Sequence, residues 1–361
     1  MDFLRILVIS MLIPYHSSLS YSGLGQTYVQ TQIEDFRVIP FLIIGVLMDN
    51  FSMTLLFFVS GIASFYALKY KGKRNYINQK FKKILIPFLL GTIFICPFQA
   101  YFKALNEGFY GGMIFFIREF FSAKIVYYLG YAHLWFLLYL FLISLVTLPL
   151  LLGFLKDDKK ILKISKFLCH KNNIYYPIVL IVLIEILLRP YFPGKQIIIN
   201  DYANDILYMI VFVFGFIYAY DDNLQKQILK LFDISKLMIV ISLVILFYVY
   251  YNFMILDNNF MYLRYLRAFA KGIYECFVII WLMNLAFKYF NRRTKLLDYL
   301  NKASYTYYIF HFLPISAMSY FMTKFNLNIY IKYLLVVIIS YVFVFLIYEL
   351  KSILKRSKIW R

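Results

Sequence analysis

Apolar runs of about 20 residues, the length at which a helix crosses a membrane, recur along the whole chain. Hydrophobic residues make up 63% of the 361 residues, more than a soluble protein can bury. We therefore expect an all-α membrane bundle in a single domain, residues 1–361. About ten transmembrane helices are expected, near 3–20, 38–70, 84–101, 134–152, 174–191, 203–220, 237–255, 272–287, 305–322 and 333–354.

The second apolar run, 38–70, is too long for one helix perpendicular to the membrane, and it contains Asp49 and Asn50 near its middle. It is either one tilted helix or a short outer helix followed by the true span. We favour the second arrangement.

The net charge of +20 arises mostly from Lys and Arg in short segments between apolar runs. Basic residues concentrate in cytoplasmic loops, and their distribution here predicts that both termini are cytoplasmic. Because no polar domain carries the charge, nucleic-acid binding is not expected. The segment 106–130 is the longest predicted outer segment. We expect it to lie on the membrane as an amphipathic piece, and it is a candidate lid on the outer side, where an acceptor substrate would bind.

The three cysteines, Cys96, Cys169 and Cys276, are far apart in the sequence. Their spacing predicts neither a disulfide nor a metal site. Cys169 stands beside His170 in a Lys-rich segment that we expect to be a solvated loop.

The first apolar run contains an arginine and a histidine. Eleven positions separate Arg5 from His16, so at about 100° per residue they return to within roughly 20° of one face, about 16 Å apart. Ionisable side chains in a span face a bundle interior or a wet cavity. Pro14 frees the carbonyl of Ser10 and is expected to bend the helix near His16. The alternative for His16 is an ordinary hydrogen bond between helices.

Basic side chains also stand at the predicted cytoplasmic entrance of the third span, where Lys80 and Lys83 lie one helical turn apart. Lysines in this position either set the topology or bind the phosphates of a cytoplasmic ligand. Together with Arg5 they would form a basic rim below His16.

Two further histidines lie in or beside apolar runs. His133 opens the fourth span together with Trp135, at the predicted outer interface of the membrane. Trp135 is there interpreted as an ordinary residue of the interfacial aromatic belt, and a water-exposed interfacial histidine is the alternative to a binding role for His133. His311 lies inside the ninth span close to Pro314, and either a hydrogen bond to a neighbouring helix or a functional role would explain it.

Acidic residues in apolar sequence need a partner or a proton, and Glu185 and Glu275 are two such residues. Arg189 follows Glu185 by one turn and could be its ion-pair partner. Orienting an imidazole or binding an acceptor sugar is the alternative. Arg264 and Arg267, at the predicted outer end of the eighth span, could bind an anionic or hydroxyl-rich acceptor.

Five stretches spread along the chain form one pattern. They are Asp2-Phe3-Leu4-Arg5 followed by ten residues and His16, MTLLFFVSG at 53–61, KFKKILIPFLLG with PFQAYF at 80–102, HLWFL at 133–137, and SYTYYIFHFLP at 304–314. Each stretch alone is weakly specific, whereas five stretches that follow in the same order along the chain are a strong signal. The pattern resembles the acyltransferase-3 family of integral-membrane acyltransferases, in particular the branch that includes the glucan succinyltransferases and related surface-glycan acylating enzymes.

The resemblance implies transfer of an acyl group, usually acetyl and alternatively succinyl, from cytoplasmic acyl-CoA to a carbohydrate hydroxyl outside the membrane. It implies that His16 is the catalytic base. The residues expected to bind substrates are Arg5, Lys80, Lys83, His133, Trp135, Glu185, Arg189 and His311, and those expected to have structural or orienting roles are Asp2 and Ser60.

The chain departs from the family pattern at several positions. Lys80 and Lys83 stand where the family commonly has two arginines, and a lysine lacks the planar fork with which arginine binds phosphate. Ser17 stands where some relatives have a second histidine, and Thr54 where a proline is common.

These observations predict a bacterial plasma-membrane O-acyltransferase. Its expected partners are acyl-CoA, a glycan or glycolipid acceptor and the lipid bilayer, with no bound cofactor and no metal. His16 would take the proton of the attacking hydroxyl, or would form an acyl-histidine intermediate. A transporter or flippase of a lipid-linked glycan is the alternative, although the sequence has no internal repeat. A membrane scaffold without chemistry is the third possibility.

Overall fold

The computed structural model describes residues 2–23, 29–31, 36–121, 131–194, 196–254, 256, 258–290, 292 and 294–356. Regular structure in these residues is helical, as the sequence predicts. The α-helices are α1 Asp2–Leu19, α2 Ile39–Asp49, α3 Ser52–Lys80, α4 Ile86–Phe94, α5 Cys96–Asn106, α6 Met113–Phe120, α7 Trp135–Val146, α8 Leu148–Lys156, α9 Asp158–Cys169, α10 Tyr176–Leu188, α11 Tyr202–Tyr220, α12 Asp222–Leu229, α13 Phe232–Met254, α14 Met261–Tyr289, α15 Lys295–Phe310, α16 Phe312–Thr323 and α17 Ile329–Arg356.

Several helical stretches in the described ranges are long and apolar enough to cross a membrane. There are five such stretches, Phe36–Asn106, Tyr202–Tyr220, Phe232–Phe253, Met261–Tyr289 and Ile329–Lys355. The number rises to seven if two bent pairs each form one span, one pair bent by 46° between α7 and α8 and one by 109° between α9 and α10. The chain is therefore a multi-pass membrane protein, while ten spans and cytoplasmic termini stay predictions.

The chain forms two compact units, each assembled from separated segments. We call Asp2–Met48, Pro87–Leu134 and Arg293–Arg361 the terminal unit, and Asp49–Ile86 with Trp135–Arg292 the middle unit. The single domain predicted from the sequence stays a prediction.

In the terminal unit, α1 packs against α15, α16 and α17. Ile13 of α1 belongs to an apolar cluster with Ile315, Met322, Val336 and Val344. Pro14 deprives the Ser10 carbonyl of its donor within the helix, as predicted, and the Tyr341 hydroxyl donates to that carbonyl at 2.6 Å. The helix that carries Arg5 and His16 is thus fixed by apolar packing and by a hydrogen bond at its proline.

In the middle unit, α3 and α11 lie side by side, with Phe57 stacked on Tyr208 at 4.4 Å between ring centroids. The second apolar run divides as favoured above, since α2 ends at Asp49 and α3 begins at Ser52. Gly72 interrupts α3 with a φ of 73°, a conformation that favours glycine. After this break the chain folds back, because the Tyr76 hydroxyl donates to Ser64 Oγ at 3.2 Å.

The Lys-rich segment around Cys169 is helical, so the prediction of a solvated loop is wrong. Helix α9 buries Ile161, Ser165 and Leu168, which recur every three or four residues and therefore share one face. The lysines between them conceal this period in a simple hydropathy profile.

The predicted outer segment 106–130 contains the short helix α6, and its residues 122–130 lie outside the described part of the chain. Phe116 and Phe120 of α6 pack against Ala100 and Ala104 of α5. Its placement on the membrane and its role as a lid stay predictions.

Candidate active site

Three of the four histidines in the chain converge in the terminal unit. The ring centroids of His16 and His311 are 5.3 Å apart, and those of His311 and His133 are 4.8 Å apart. Phe312 packs against His16 and His133, with centroid distances of 4.8 and 5.4 Å. We call His16, His133 and His311 the imidazole cluster.

Each member of the imidazole cluster lies where a helix ends, begins or breaks. His16 is in the last turn of α1, and His133 is in the 3-10 turn Ala132–Leu134 that precedes α7. His311 separates α15 from α16, three residues before Pro314. Since proline lacks an N–H group, Pro314 cannot continue the hydrogen-bond ladder of α15, which favours a break at this position.

Backbone carbonyls determine which nitrogen carries the proton in the two buried rings. His133 Nε2 donates to the Ile309 carbonyl at 3.0 Å, and His311 Nδ1 donates to the Tyr308 carbonyl at 2.8 Å, because a carbonyl can only accept. The Tyr308 hydroxyl also donates to the His133 carbonyl at 2.6 Å. In their neutral forms, His133 Nδ1 and His311 Nε2 therefore carry unshared electron pairs.

These two nitrogens are buried and have no hydrogen-bond partner among the described residues, and the same holds for His16 Nδ1. Buried polar atoms are normally satisfied, so three such nitrogens in one cluster are a signature of a binding or reaction site rather than of a core. His133 is 6% exposed and His311 1% exposed, whereas His16 is half-buried. The interpretation of His133 as a water-exposed histidine is therefore wrong, and His16 is the least buried member of the cluster.

Arg5 lies on the same face of α1 as His16, as the spacing predicts. Its guanidinium hydrogen-bonds to the side-chain oxygen of Asn301 in α15, the helix that His311 follows. Asp2 pairs with Arg5 at 3.3 Å, an exposed contact of low energy. Arg5 Nε is buried and has no hydrogen-bond partner in the described ranges. Asn301 carried no recognisable signal in the sequence.

The middle unit contains a buried charge network. Arg189 Nε and Nη2 each donate to Glu185 at 2.7 Å, which confirms the predicted pair. Lys271 donates to Glu185 at 2.8 Å and to Glu275 at 3.1 Å, and Thr54 donates to Glu275 at 2.8 Å. Both oxygens of Glu185 are engaged, which favours the structural interpretation of this residue.

The sequence argument missed Lys271, which stands one residue before the predicted eighth span. Its spacing of four from Glu275 is the signal that could have revealed it, because such residues are neighbours on a helix.

Lys80 and Lys83 belong to the middle unit. Lys80 immediately precedes the π-helical turn Phe81–Leu85, and Lys83 lies within it. The half-buried Lys80 lies over the Tyr76 ring, with its Nζ 4.8 Å from the centroid, and forms no ion pair with a described acid. Lys83 is exposed. The Ser60 carbonyl accepts a hydrogen bond from Ser64 Oγ at 2.8 Å. The structural or orienting role of the Ser60 side chain stays a prediction.

Trp135 is a core residue of the middle unit rather than a membrane-surface residue. It is 6% exposed and packs against Tyr208 and Tyr139, with ring centroids 6.0 and 5.2 Å away. Tyr139 in turn donates to Asp201 at 2.6 Å. The interpretation of Trp135 as an interfacial belt residue is therefore wrong.

The predicted site residues thus divide between the units. The terminal unit brings together His16, His133 and His311 on elements far apart in the sequence, and it also contains Arg5. The middle unit contains Lys80, Lys83, Trp135, Glu185 and Arg189. Within the described ranges, no group of three or more His, Cys, Asp or Glu residues is arranged to hold a metal ion.

The model of the acyltransferase-3 family, which is described as an acyltransferase domain, matches residues 1–349. Comparisons with curated proteins and with solved structures give no match. The matched range includes all three histidines of the imidazole cluster and nearly the whole chain. The chain therefore belongs to the acyltransferase-3 family and is a membrane acyltransferase.

Proposed function

We propose that this protein transfers an acetyl or succinyl group from cytoplasmic acyl-CoA to a hydroxyl of an extracytoplasmic carbohydrate, in a bacterial plasma membrane, with His16 as the general base. The imidazole cluster carries this proposal. It combines a half-buried imidazole with two buried imidazoles, each of which has one ring nitrogen without a hydrogen-bond partner among the described residues.

In the proposed reaction, the acceptor oxygen bonds to the acyl carbon and the carbon–sulfur bond of the thioester breaks. His16 takes the hydroxyl proton as the oxygen attacks and gives it to the CoA thiolate, which leaves as a thiol. General-base catalysis of this kind accelerates a reaction by about 10²- to 10⁴-fold.

His311 is proposed as the positioning residue for His16. A neutral imidazole that uses one nitrogen as a base carries its hydrogen on the other, and that N–H needs an acceptor. The unpartnered Nε2 of His311 suits this role, and the 5.3 Å separation of the ring centroids supports it. An acceptor there would also stabilise the imidazolium that forms during the reaction, as a carboxylate does in a catalytic triad.

Arg5, Lys80 and Lys83 are proposed to bind the phosphates of the acyl-CoA donor. Arg5 is half-buried, and its buried Nε has no hydrogen-bond partner among the described residues. Lys80 has no described carboxylate to neutralise it. A lysine binds phosphate as a point charge, so we expect Lys80→Arg to preserve donor binding.

The test compares His16→Ala with His170→Ala, which changes the exposed histidine outside the cluster. The acylated surface glycans of cells that produce each variant are quantified by mass spectrometry, and acetyl-CoA turnover is measured on purified protein. We expect His16→Ala to lower both by at least about a hundredfold and His170→Ala to leave them unchanged. Normal acylation by His16→Ala at equal membrane abundance would refute the proposal.

The same purified protein is used to identify the acyl group. Acetyl-CoA and succinyl-CoA are supplied in competition, and the mass added to the acceptor shows which acyl group is transferred. Transfer to a protein or to an amine, with no modified carbohydrate, would contradict the proposed acceptor class.

A further inference from the structure

The middle unit contains a polar cavity, which the proposed chemistry at His16 does not use. Its volume is about 550 Å³, within the range of small-molecule sites. The lining includes Arg189, Tyr191, Phe253, Asn259, Arg264 and Arg267. Three arginines therefore line one cavity.

The charge of Arg189 is already compensated. In the buried network, Arg189 and Lys271 face Glu185 and Glu275, so two positive and two negative charges cancel. The excess charge of the cavity therefore comes from the other two arginines.

Arg264 and Arg267 form no ion pair with any acid that the structure describes. Arg264 Nε donates to the neutral Asn259 side chain at 3.0 Å, and the Arg267 guanidinium lies over the Tyr250 ring at 5.4 Å. Arg267 Nε is buried and finds no hydrogen-bond acceptor in the described ranges. Arg264 is exposed and Arg267 half-buried, so an anionic ligand can reach both. Such a ligand would give the buried Nε of Arg267 an acceptor and would balance the two positive charges.

The cavity chemistry favours a phosphate on a sugar over a bare ion. Guanidinium groups bind phosphate oxygens through two parallel hydrogen bonds, and a phosphate monoester has enough charge to balance both arginines. Tyr191 and Phe253 also line the cavity, and aromatic rings can pack against the C–H face of a sugar ring. Its volume leaves room for at least one ring beside the phosphate.

We propose that this cavity binds the phosphate group and the adjoining sugar of a phosphate-bearing saccharide. That this saccharide is the acyl acceptor rests on the proposed function. The distribution of basic loops predicts that this end of α14 faces the outside of the membrane, where such an acceptor would be found. Arg264 and Arg267 bind the phosphate, and Tyr191 and Phe253 bind the sugar.

The experiment measures binding directly by isothermal titration calorimetry on the full-length protein in phosphatidylcholine nanodiscs. The probes are glucose 1-phosphate, glucose and inorganic phosphate. We expect glucose 1-phosphate to bind more tightly than either of the others. The double variant Arg264→Gln, Arg267→Gln should weaken that binding about tenfold or more, because charged hydrogen bonds are lost. Arg74→Gln, at an exposed position of the same unit, is the matched control and should bind as the wild type does.

Bilayer phospholipid is distinguished by repeating the titration in nanodiscs that contain phosphatidylglycerol. Retained glucose 1-phosphate affinity supports the saccharide assignment, and displacement by the lipid overturns it. Absence of glucose 1-phosphate binding to the wild type, or equal binding by the double variant, also overturns the proposal. His16→Ala should bind the probe normally while losing acyl-CoA turnover, so failure of the proposed reaction and failure of this binding site give different results.

Discussion

Lys271 lies between two buried carboxylates, and replacing it tests whether the middle unit depends on charge balance. Its Nζ is 2.8 Å from Glu185 and 3.1 Å from Glu275. In Lys271→Met, Glu185 keeps its two hydrogen bonds from Arg189, but Glu275 keeps only the one from the Thr54 hydroxyl. The substitution therefore leaves one buried negative charge without a cation of its own.

The expected cost follows from this charge count. Removing one partner of a buried ion pair typically destabilises a protein by about 3–5 kcal/mol, because the remaining charge stays desolvated. The double variant Lys271→Met, Glu275→Gln restores neutrality and retains an acceptor for Thr54. We expect its free energy of unfolding to return to within about 1 kcal/mol of the wild type, since replacement of a whole buried pair is often neutral.

The assay is denaturant unfolding of the purified protein in detergent micelles, followed by far-ultraviolet circular dichroism. Lys288→Met, at an exposed position of the same helix, is the matched control and should change the free energy of unfolding little. A single variant as stable as the wild type, or a double variant no more stable than Lys271→Met, would refute the reasoning.

Three further substitutions test separate contacts. His311→Ala should lower kcat for acyl transfer about a hundredfold with little change in the KM for acyl-CoA, because it misplaces the base, and steady-state kinetics measures both. Tyr341→Phe removes the 2.6 Å hydrogen bond to the Ser10 carbonyl and should lower the free energy of unfolding by about 1 kcal/mol in the same denaturant assay. Gly194→Ala should lower it by about 2 kcal/mol, because Gly194 has a φ of 93° and an added methyl group would lie 2.8 Å from Arg189 Nη1.

Much of the terminal unit's first helix was predictable from local pattern. The spacing of Arg5 and His16 predicts a shared face, and both contact α15 or the residue that follows it. The free carbonyl before Pro14 was also predictable, because it depends only on the covalent structure of proline. The donor that satisfies it, Tyr341, comes from the last helix and was not predictable.

The sequence pattern around a residue gave a wrong prediction of its exposure where its neighbours in the fold come from distant helices. His133 and Trp135 stand next to each other at the start of an apolar run, which is where membrane-surface residues are common. Both are buried, because Tyr308 and Ile309 engage His133 and Tyr208 covers Trp135. The sequence contains no sign of these neighbours.

The sequence by itself determined that this protein is an integral-membrane acyltransferase, because long apolar runs force helices into the bilayer and five motifs stand in register along the chain. Only the tertiary structure decided that His133 and His311 join His16, and that Lys271 links Glu185 to Glu275. Hydropathy and helical period describe the environment and face of each segment separately. Which faces meet depends on how side chains of distant helices pack together, and it is this packing that assembles the imidazole cluster and the charge network.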